Sequence, residues 1–523
     1  MSAMSPHFRL PALLLVALCA LALPARAQDD ETKDEKSKDE EAEVRSGQGL
    51  LEDYEGEVTG RGLWYSNREK AGRYLEYRDL PRGGVLDLFR FQNRRKVDDL
   101  YYFKAEGRDV SQEDQRVDLS AGRYGMFDLN VRWDRIPHRF GNDAITLYRG
   151  IGTGRLTIDD TVQQDLQAAT NANNQAFRLG RHLDESQHLR GLDDVMLQRE
   201  QVHGDMKWYW WDPLRLSLDV DFERRDGVRP TFGSFGFANT VQILEPIDYQ
   251  TFGTRAAVSY AQGPVDAEGW YRLQTFNNGE ESLTWDNPFR LTDSATLGPA
   301  TGRMALDADN QMHELGLKSG YQIAERTRVS GNASWAFTRS STDLQPYTSN
   351  TALVRTRTLS PPFDAFDPAA LGQHQFTGKK FTQNYDLNFT TRPWDPVEFK
   401  AYDRYQVVND LRETIAFPGH VRTDSTWLNA APTIAPESYD RSKAVGGLKT
   451  TVHLPWILSR LKPGYEFEAI FRDGRQVETT YEHESSLDLE TDWLDWLSTD
   501  VGFAYGHRDA RDFTPPEAAE ALR

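Results

Sequence analysis

Cysteine is almost missing from this chain. The one thiol among its 523 residues, Cys19, falls in an apolar N-terminal stretch that reads as a secretory leader. The mature chain therefore has no disulfide, no thiolate nucleophile and no cysteine metal site. Cys-x-x-Cys-His is missing as well, which excludes covalent attachment of a c-type haem. The 11 histidines are scattered and form no pair at metal-ligand spacing. Beyond the leader, no run reaches the roughly 20 apolar residues that a membrane helix requires. Only 38% of the chain is hydrophobic. Positive charge is in deficit, with a formal net charge of −19, and no nucleic-acid partner is expected.

What the chain has instead is alternation. Leu214, Leu216, Leu218, Val220 and Phe222 are interleaved with Arg215, Ser217, Asp219 and Asp221. Phe127 to Asp134 repeats the pattern. A period of two puts the apolar set on one face of a strand and the polar set on the other. Apolar outward and polar inward over roughly 9–11 residues is the pattern of a transmembrane β-barrel strand. Such a strand crosses a bilayer at low overall hydropathy, because only alternate residues must be apolar. Aromatic residues make up 11% of the chain, 13 of them Trp, which suits girdles at two membrane surfaces. A soluble sandwich also alternates, so the spacing of the links decides.

The expected organisation has three parts. Residues 1–27 are a signal peptide: Arg9 is the positive flank, 12–23 the apolar stretch, and Ala25 and Ala27 frame a small-x-small cleavage site that leaves Gln28 as the new N-terminus. Leu18 before Cys19 is too bulky for a typical lipoprotein signal, so no lipid anchor is expected. Residues 28–53 are an acidic periplasmic segment; positions 29–43 hold nine acids and three lysines, a composition that cannot bury a core and is expected to be disordered. Residues 54–523 form the barrel.

The alternation predicts 17 strands, near 57–66, 83–92, 98–109, 115–124, 126–135, 203–211, 214–225, 250–261, 265–277, 310–321, 326–339, 379–391, 396–407, 439–452, 464–474, 484–492 and 498–508. Asp212-Pro213, Asp395-Pro396, Gly263-Pro264 and Lys462-Pro463-Gly464 are expected to force tight reversals. Long polar loops are expected near 137–202, 228–249, 278–309, 340–378 and 408–437. Short turns on one side and long loops on the other match bacterial outer-membrane barrels, in which the short turns are periplasmic. With the Asp212-Pro213 turn in the periplasm, the N-terminus is periplasmic too. The odd count leaves the last strand running outward, whereas single-chain bacterial barrels have even counts. The expectation drawn from this is a chain truncated at its C-terminus.

Four motifs are more specific than a pattern. Tyr101-Tyr102-Phe103-Lys104-Ala105-Glu106-Gly107-Arg108 is followed by Asp118-Leu119-Ser120-Ala121-Gly122-Arg123-Tyr124-Gly125. Then come Trp133-Asp134-Arg135-Ile136-Pro137-His138-Arg139-Phe140 and Gly150-Ile151-Gly152-Thr153-Gly154-Arg155-Leu156-Thr157. This order resembles the MtrB/PioB family of decahaem-associated outer-membrane proteins, closely over residues 54–160 and in architecture beyond. The resemblance implies a large barrel that sheathes a periplasmic multihaem c-type cytochrome, in some cases with an extracellular multihaem cytochrome, as an electron conduit across the outer membrane. Ile136, Pro137, His138, Arg139, Phe140, Gly150, Gly152, Thr153 and Gly154 are the family-motif residues. Some relatives carry Cys-x-x-Cys near the mature N-terminus; this chain does not. Family barrels also tend to be longer.

The physical logic agrees. About 30 Å of hydrocarbon insulates periplasm from exterior. An electron crosses only along a relay of cofactors, and this chain has no cofactor of its own. The haem is then expected on the partner, with the barrel supplying insulation, a polar lumen, docking geometry and contact with outer-membrane lipid. Weaker signals have plainer readings. Gly150 to Gly154 lacks the Lys-Ser/Thr ending of a phosphate loop. His138 is either a haem contact or, more commonly, a strand-end cap. Asp159-Asp160 and Glu280-Glu281 are either calcium ligands or solvated acid pairs. Residues 162–177 read as one short helix. The alternative function is a diffusion porin or substrate-specific channel. An outer-membrane enzyme would need a Ser/His/acid set that the sequence does not point to.

Overall fold

The computed structural model describes residues 54–64, 73–78, 83–93, 100–141, 144–185, 195–235, 239–353, 371, 373–413, 415, 419–422, 424, 426–429 and 440–513. The expected cleavage site at Ala25, Ala27 and Gln28, and the acidic segment, lie outside the described residues. In chain order the first strands are β1 (Tyr54–Leu63), β2 (Gly83–Asn93), β3 (Tyr101–Arg108), β4 (Arg116–Arg123), β5 (Phe127–Gly141) and β6 (Arg155–Leu156). Two helices follow, α1 (Asp160–Gln167) and α2 (Ala172–Glu185). Next come β7 (Val195–Trp211), β8 (Leu214–Phe235), β9 (Asn239–Gln262), β10 (Val265–Asn278), β11 (Ser282–Asp286), β12 (Thr301–Ala305), β13 (Asp309–Ala324) and β14 (Thr327–Asp343). The last are β15 (Gln375–Trp394), β16 (Val397–Asp410), β17 (Gly419–Arg422), β18 (Thr426–Asn429), β19 (Arg441–Leu454), β20 (Ser459–Arg472), β21 (Val477–Leu494) and β22 (Leu497–Phe513).

Seventeen of these strands form one antiparallel sheet. Each is bonded to the neighbour before and after it in an unbroken meander from β1–β2 to β21–β22, with β6, β11, β12, β17 and β18 left out in the loops. All 17 coincide with expected strands. Among the described residues, β1 and β22 each have one unpaired edge.

Register explains the faces. Leu214, Leu216 and Leu218 stand opposite Tyr260, Val258 and Ala256 on β9 and, on the other side, Leu216 and Leu218 stand opposite Trp208 and Met206 on β7. The apolar row continues from strand to strand, as in Leu317 on β13, Phe389 against Ala401 on β15 and β16, and Leu487 against Phe503 on β21 and β22. Leu214, Leu216, Leu218, Val258, Leu317, Phe389, Leu487 and Phe503 in this row are exposed. So wide an apolar surface is untenable in water and is what an acyl-chain solvent requires. At the short-turn end Trp211, Trp394, Trp456, Trp493 and Trp496 are all more than half exposed, the place for an interfacial aromatic belt.

Four expectations need correction. Residues 228–249 are not a loop: β8 and β9 run on together to Phe235 and Asn239, a hairpin of 22 and 24 residues that is longer than a bilayer needs. Lys462-Pro463-Gly464 is not a turn. It lies inside β20, while the chain reverses at a 3-10 turn over Pro455–Ile457. The β19–β20 pairing simply skips Lys462 and Pro463, where the proline has no N–H to give. Residues 162–177 are two helices, because the Asn171 side chain accepts from Asn174 N (2.9 Å) and starts a second one. The loop expected from residue 137 begins later, since β5 extends to Gly141.

Candidate functional site

The polar face of the sheet is the candidate site. Arg90, Glu106, Asp118, Arg132, His203 and Asp221 are successive cross-strand partners from β2 to β8. Ion pairs join Arg90 Nε to Glu106 Oε2 at 3.1 Å and Arg132 Nε to Asp118 Oδ1 at 2.8 Å, and His203 Nδ1 is hydrogen-bonded to Asp221 Oδ1 at 2.7 Å. The pattern repeats along the wall with Arg199–Glu223 (2.6 Å), Arg255–Glu268 (2.5 Å), Lys443–Glu468 (2.6 Å) and Arg460–Glu490 (2.7 Å). A wall built this way is strongly polar but locally neutral. It wets readily and offers donors and acceptors to anything in the lumen. The Trp270 indole lies on this face under the Arg255 guanidinium, 5.2 Å from its centroid. It covers Gly316 on β13, where an added Cβ would come within 2.1 Å of the ring.

At the long-loop end a separate body sits on the wall. Tyr148, Leu156, Ile158, Phe235, Ile243, Leu283 and Trp285 form a buried core. It is made from the 144–158 segment, the tip of the β8–β9 hairpin and the 279–306 segment, with β11 between β6 and β12. Gln163 on α1 donates to Asn287 O (2.8 Å) and Arg290 O (2.9 Å). Asn350, fully buried, donates to Ser294 O (2.9 Å) and Asp424 O (2.6 Å), which ties further loops to the same body. Burial lifts the Asp286 carboxyl above its usual range even though Ile158 N donates to it (2.9 Å), and burial likewise raises the Tyr148 phenol. This cap has the physics of a small water-soluble domain. Its core residues share no period and were not legible as a group in the sequence.

The family-motif residues divide between the long-loop end of a wall strand and the cap. Ile136, Pro137, His138, Arg139 and Phe140 are the end of β5. The Arg139 backbone N donates to Glu76 O (2.8 Å), its guanidinium donates to Arg78 O (2.8 Å), and it pairs with Glu113. His138 is stacked on Tyr77 (4.6 Å between centroids), lies 4.2 Å from Phe140 and is 3.5 Å from the Glu76 carboxylate. The motif thus clamps the 73–78 segment onto β5. Gly150, Gly152, Thr153 and Gly154 form a tight reversal. Gly150 has φ +80° and no room for a Cβ, which would meet Arg155 O at 2.4 Å. Thr153 donates through N (3.1 Å) and Oγ1 (2.7 Å) to Gly150 O. The turn aims Leu156 into the cap core. Asp159 is the N-cap of α1, accepting from Thr161 N at 3.1 Å. Among the described residues no three His, Cys, Asp or Glu side chains converge as metal ligands.

Comparison with known proteins adds the following. Residues 65–522 match the family described as outer membrane beta-barrel porin, MtrB/PioB. Outer membrane protein MtrB of Shewanella baltica (strain OS185) is 25% identical over 234 residues. That match takes in 42% of this chain but only 30% of the relative's own length. Among solved structures, the ferric yersiniabactin uptake receptor FyuA from Yersinia pestis aligns with TM-score 0.41 and 11% identity, over 82% of this chain and 59% of that one. The siderophore receptor PiuA from Acinetobacter baumannii aligns with TM-score 0.39 and 9% identity, over 87% and 63% respectively. At such scores these two likenesses bear on neither substrate nor partner. The family match covers most of the chain, and it agrees with a lipid-facing meander whose inner wall is charged: this protein is an outer-membrane β-barrel of the MtrB/PioB family.

Proposed function

We propose that this barrel is a non-catalytic sheath. It holds a periplasmic multihaem c-type cytochrome in its lumen and so builds an electron conduit across the outer membrane. The haem belongs to the partner, the N-terminus and short turns face the periplasm, and an extracellular multihaem cytochrome docks at the long-loop end in some assemblies. Family membership supports this reading, and the width of the wall carries it. At about 4.8 Å between strands and a tilt of about 40°, an arc of 17 strands is roughly 105 Å long, and closed on itself it would be roughly 34 Å across. Side chains reduce that to a lumen of roughly 20 Å, room for a folded polypeptide. The self-neutralised wall would hold such a guest by hydrogen bonds and complementary charge without a strong net field.

The test is affinity capture of the tagged full chain from outer membranes, followed by haem staining of the denatured eluate. The expected result is a c-type haem band on a separate polypeptide and none on the barrel. A haem-free eluate from correctly folded barrel overturns the proposal. A second reading, a diffusion channel, is favoured by the charged wall, since porin interiors are polar. High single-channel conductance from haem-free preparations would support that reading instead.

A further inference from the structure

One stretch of the inner wall breaks the pairing rule. At the long-loop end, where β14, β15, β16, β19, β20 and β21 begin or end, a cavity of about 940 Å³ is lined by Lys379, Lys380, Arg412, Arg441, Arg472 and Arg475. Among the described residues two carboxylates, Asp410 and Asp440, line it with them, and Arg412 and Arg475 already have partners. Both carboxylates are engaged: Arg412 Nε lies 2.8 Å from Asp410 Oδ2, and Asp440 Oδ1 accepts from Asp410 N at 2.5 Å. Elsewhere along the wall Arg90, Arg132, Arg199, Arg255 and Arg460 each sit on an acid. Here Arg441 and Arg472 are direct cross-strand partners. Like charges so placed destabilise a sheet. Among the described residues neither they nor Lys380 has an ion pair, and the Arg472 guanidinium makes a single long bond to Thr480 Oγ1 at 3.3 Å. All this occurs in a chain of net charge −19.

We propose that this cavity is a binding site for small multivalent oxyanions, polycarboxylates or polyphosphates, entering from the long-loop side. An anion bridging Arg441, Arg472 and Lys380 relieves their mutual repulsion. Guanidinium forks match carboxylate and phosphate oxygens two at a time. Phe376, Val408 and Val477 supply the apolar part of the lining, which lowers the local dielectric and strengthens the attraction. The volume is that of an ordinary ligand site. The same chemistry could come from a lipid phosphate. However, Lys380, Arg441 and Arg472 lie on the polar face, in register with Asp410, Val408 and each other, so a soluble anion is favoured. The proposal does not depend on a cytochrome partner, and its test uses the barrel alone.

Purified full-length barrel in neutral detergent is titrated calorimetrically with citrate, pyrophosphate and acetate. Saturable binding of the first two, little of acetate, and weakening with added salt are expected. The combined variant Lys380→Gln, Arg441→Gln, Arg472→Gln should bind at least about ten-fold more weakly. The charge-keeping variant Lys380→Arg, Arg441→Lys, Arg472→Lys should retain most of the affinity. Heat-modifiable gel mobility confirms that both variants fold. No saturable heat with citrate or pyrophosphate overturns the proposal. So does equal binding by the glutamine variant, or binding of lipopolysaccharide micelles that depends on these residues when the soluble anions do not bind.

Discussion

Ser217 and Leu218 are neighbours on β8 that meet different solvents. Leu218 is exposed on the apolar face opposite Ala256 and Met206, while Ser217 is half-buried on the polar face opposite Ala257 and Lys207. In water an exposed leucine is unremarkable, and its replacement by a charge would cost little. In a bilayer the same exchange strips the charge of hydration. Leu218→Arg should therefore destabilise the barrel by about 2–4 kcal/mol if the residue sits near the midplane, whereas Ser217→Arg should cost little. Urea unfolding from lipid vesicles, followed by tryptophan fluorescence, measures both. Equal costs would mean that the assignment of inside and outside is wrong.

The helix pair α1–α2 shows how much an element owes to single polar contacts. Asp165 on α1 receives His182 Nε2 (2.9 Å), Arg178 Nη1 (2.7 Å) and Arg181 Nη2 (3.2 Å) from α2. The bond from His182, with the two arginines behind it, holds its carboxyl below the ordinary value of 3.8 against the opposing effect of desolvation. A carboxylate depressed in the folded state contributes stability above its unfolded value and loses it as pH falls through the lower folded value. Amide exchange over residues 160–185 is thus expected to stay slow down to about the ordinary carboxylate pKa and to quicken below it. Asp165→Asn should flatten that step, and an unchanged step in the variant would assign it to another group. The helical composition of this stretch was legible in the sequence, but its division was not. Residues 162–177 read as one segment because nothing distinguishes Asn171, as a helix residue, from Asn171 as a cap until its side chain is seen to accept from Asn174 N. Pro463 misled in the opposite way: a proline reads as a turn, yet a strand paired on both sides absorbs it by opening two rungs with one neighbour.

At the scale of the molecule, two bodies obey two solvents, and this decides what a sequence can reveal. The wall repeats every two residues because one face meets lipid and the other meets the lumen, so all 17 strands could be located from alternation alone. The cap has no such constraint. Tyr148, Leu156, Ile243, Leu283 and Trp285 come from segments far apart in the chain and converge only once the meander has placed the loop bases side by side. The basic cavity is hidden for the same reason, since Lys380, Arg441 and Arg472 meet only through register. The two bodies should also fail separately. Leu283 is fully buried in the cap core and makes no contact with lipid. Leu283→Ala removes its contacts and leaves a void, a loss of about 2–5 kcal/mol for a well-packed leucine. The cap is then expected to open locally, whereas the wall keeps every rung of its ladder. Limited proteolysis of the variant should cut within 144–185 and 279–306 at concentrations that leave these segments of the parent chain uncut. Its heat-modifiable gel mobility should remain that of a folded barrel. Loss of both at once would show that the cap is required for the wall, and that the two share a single cooperative transition.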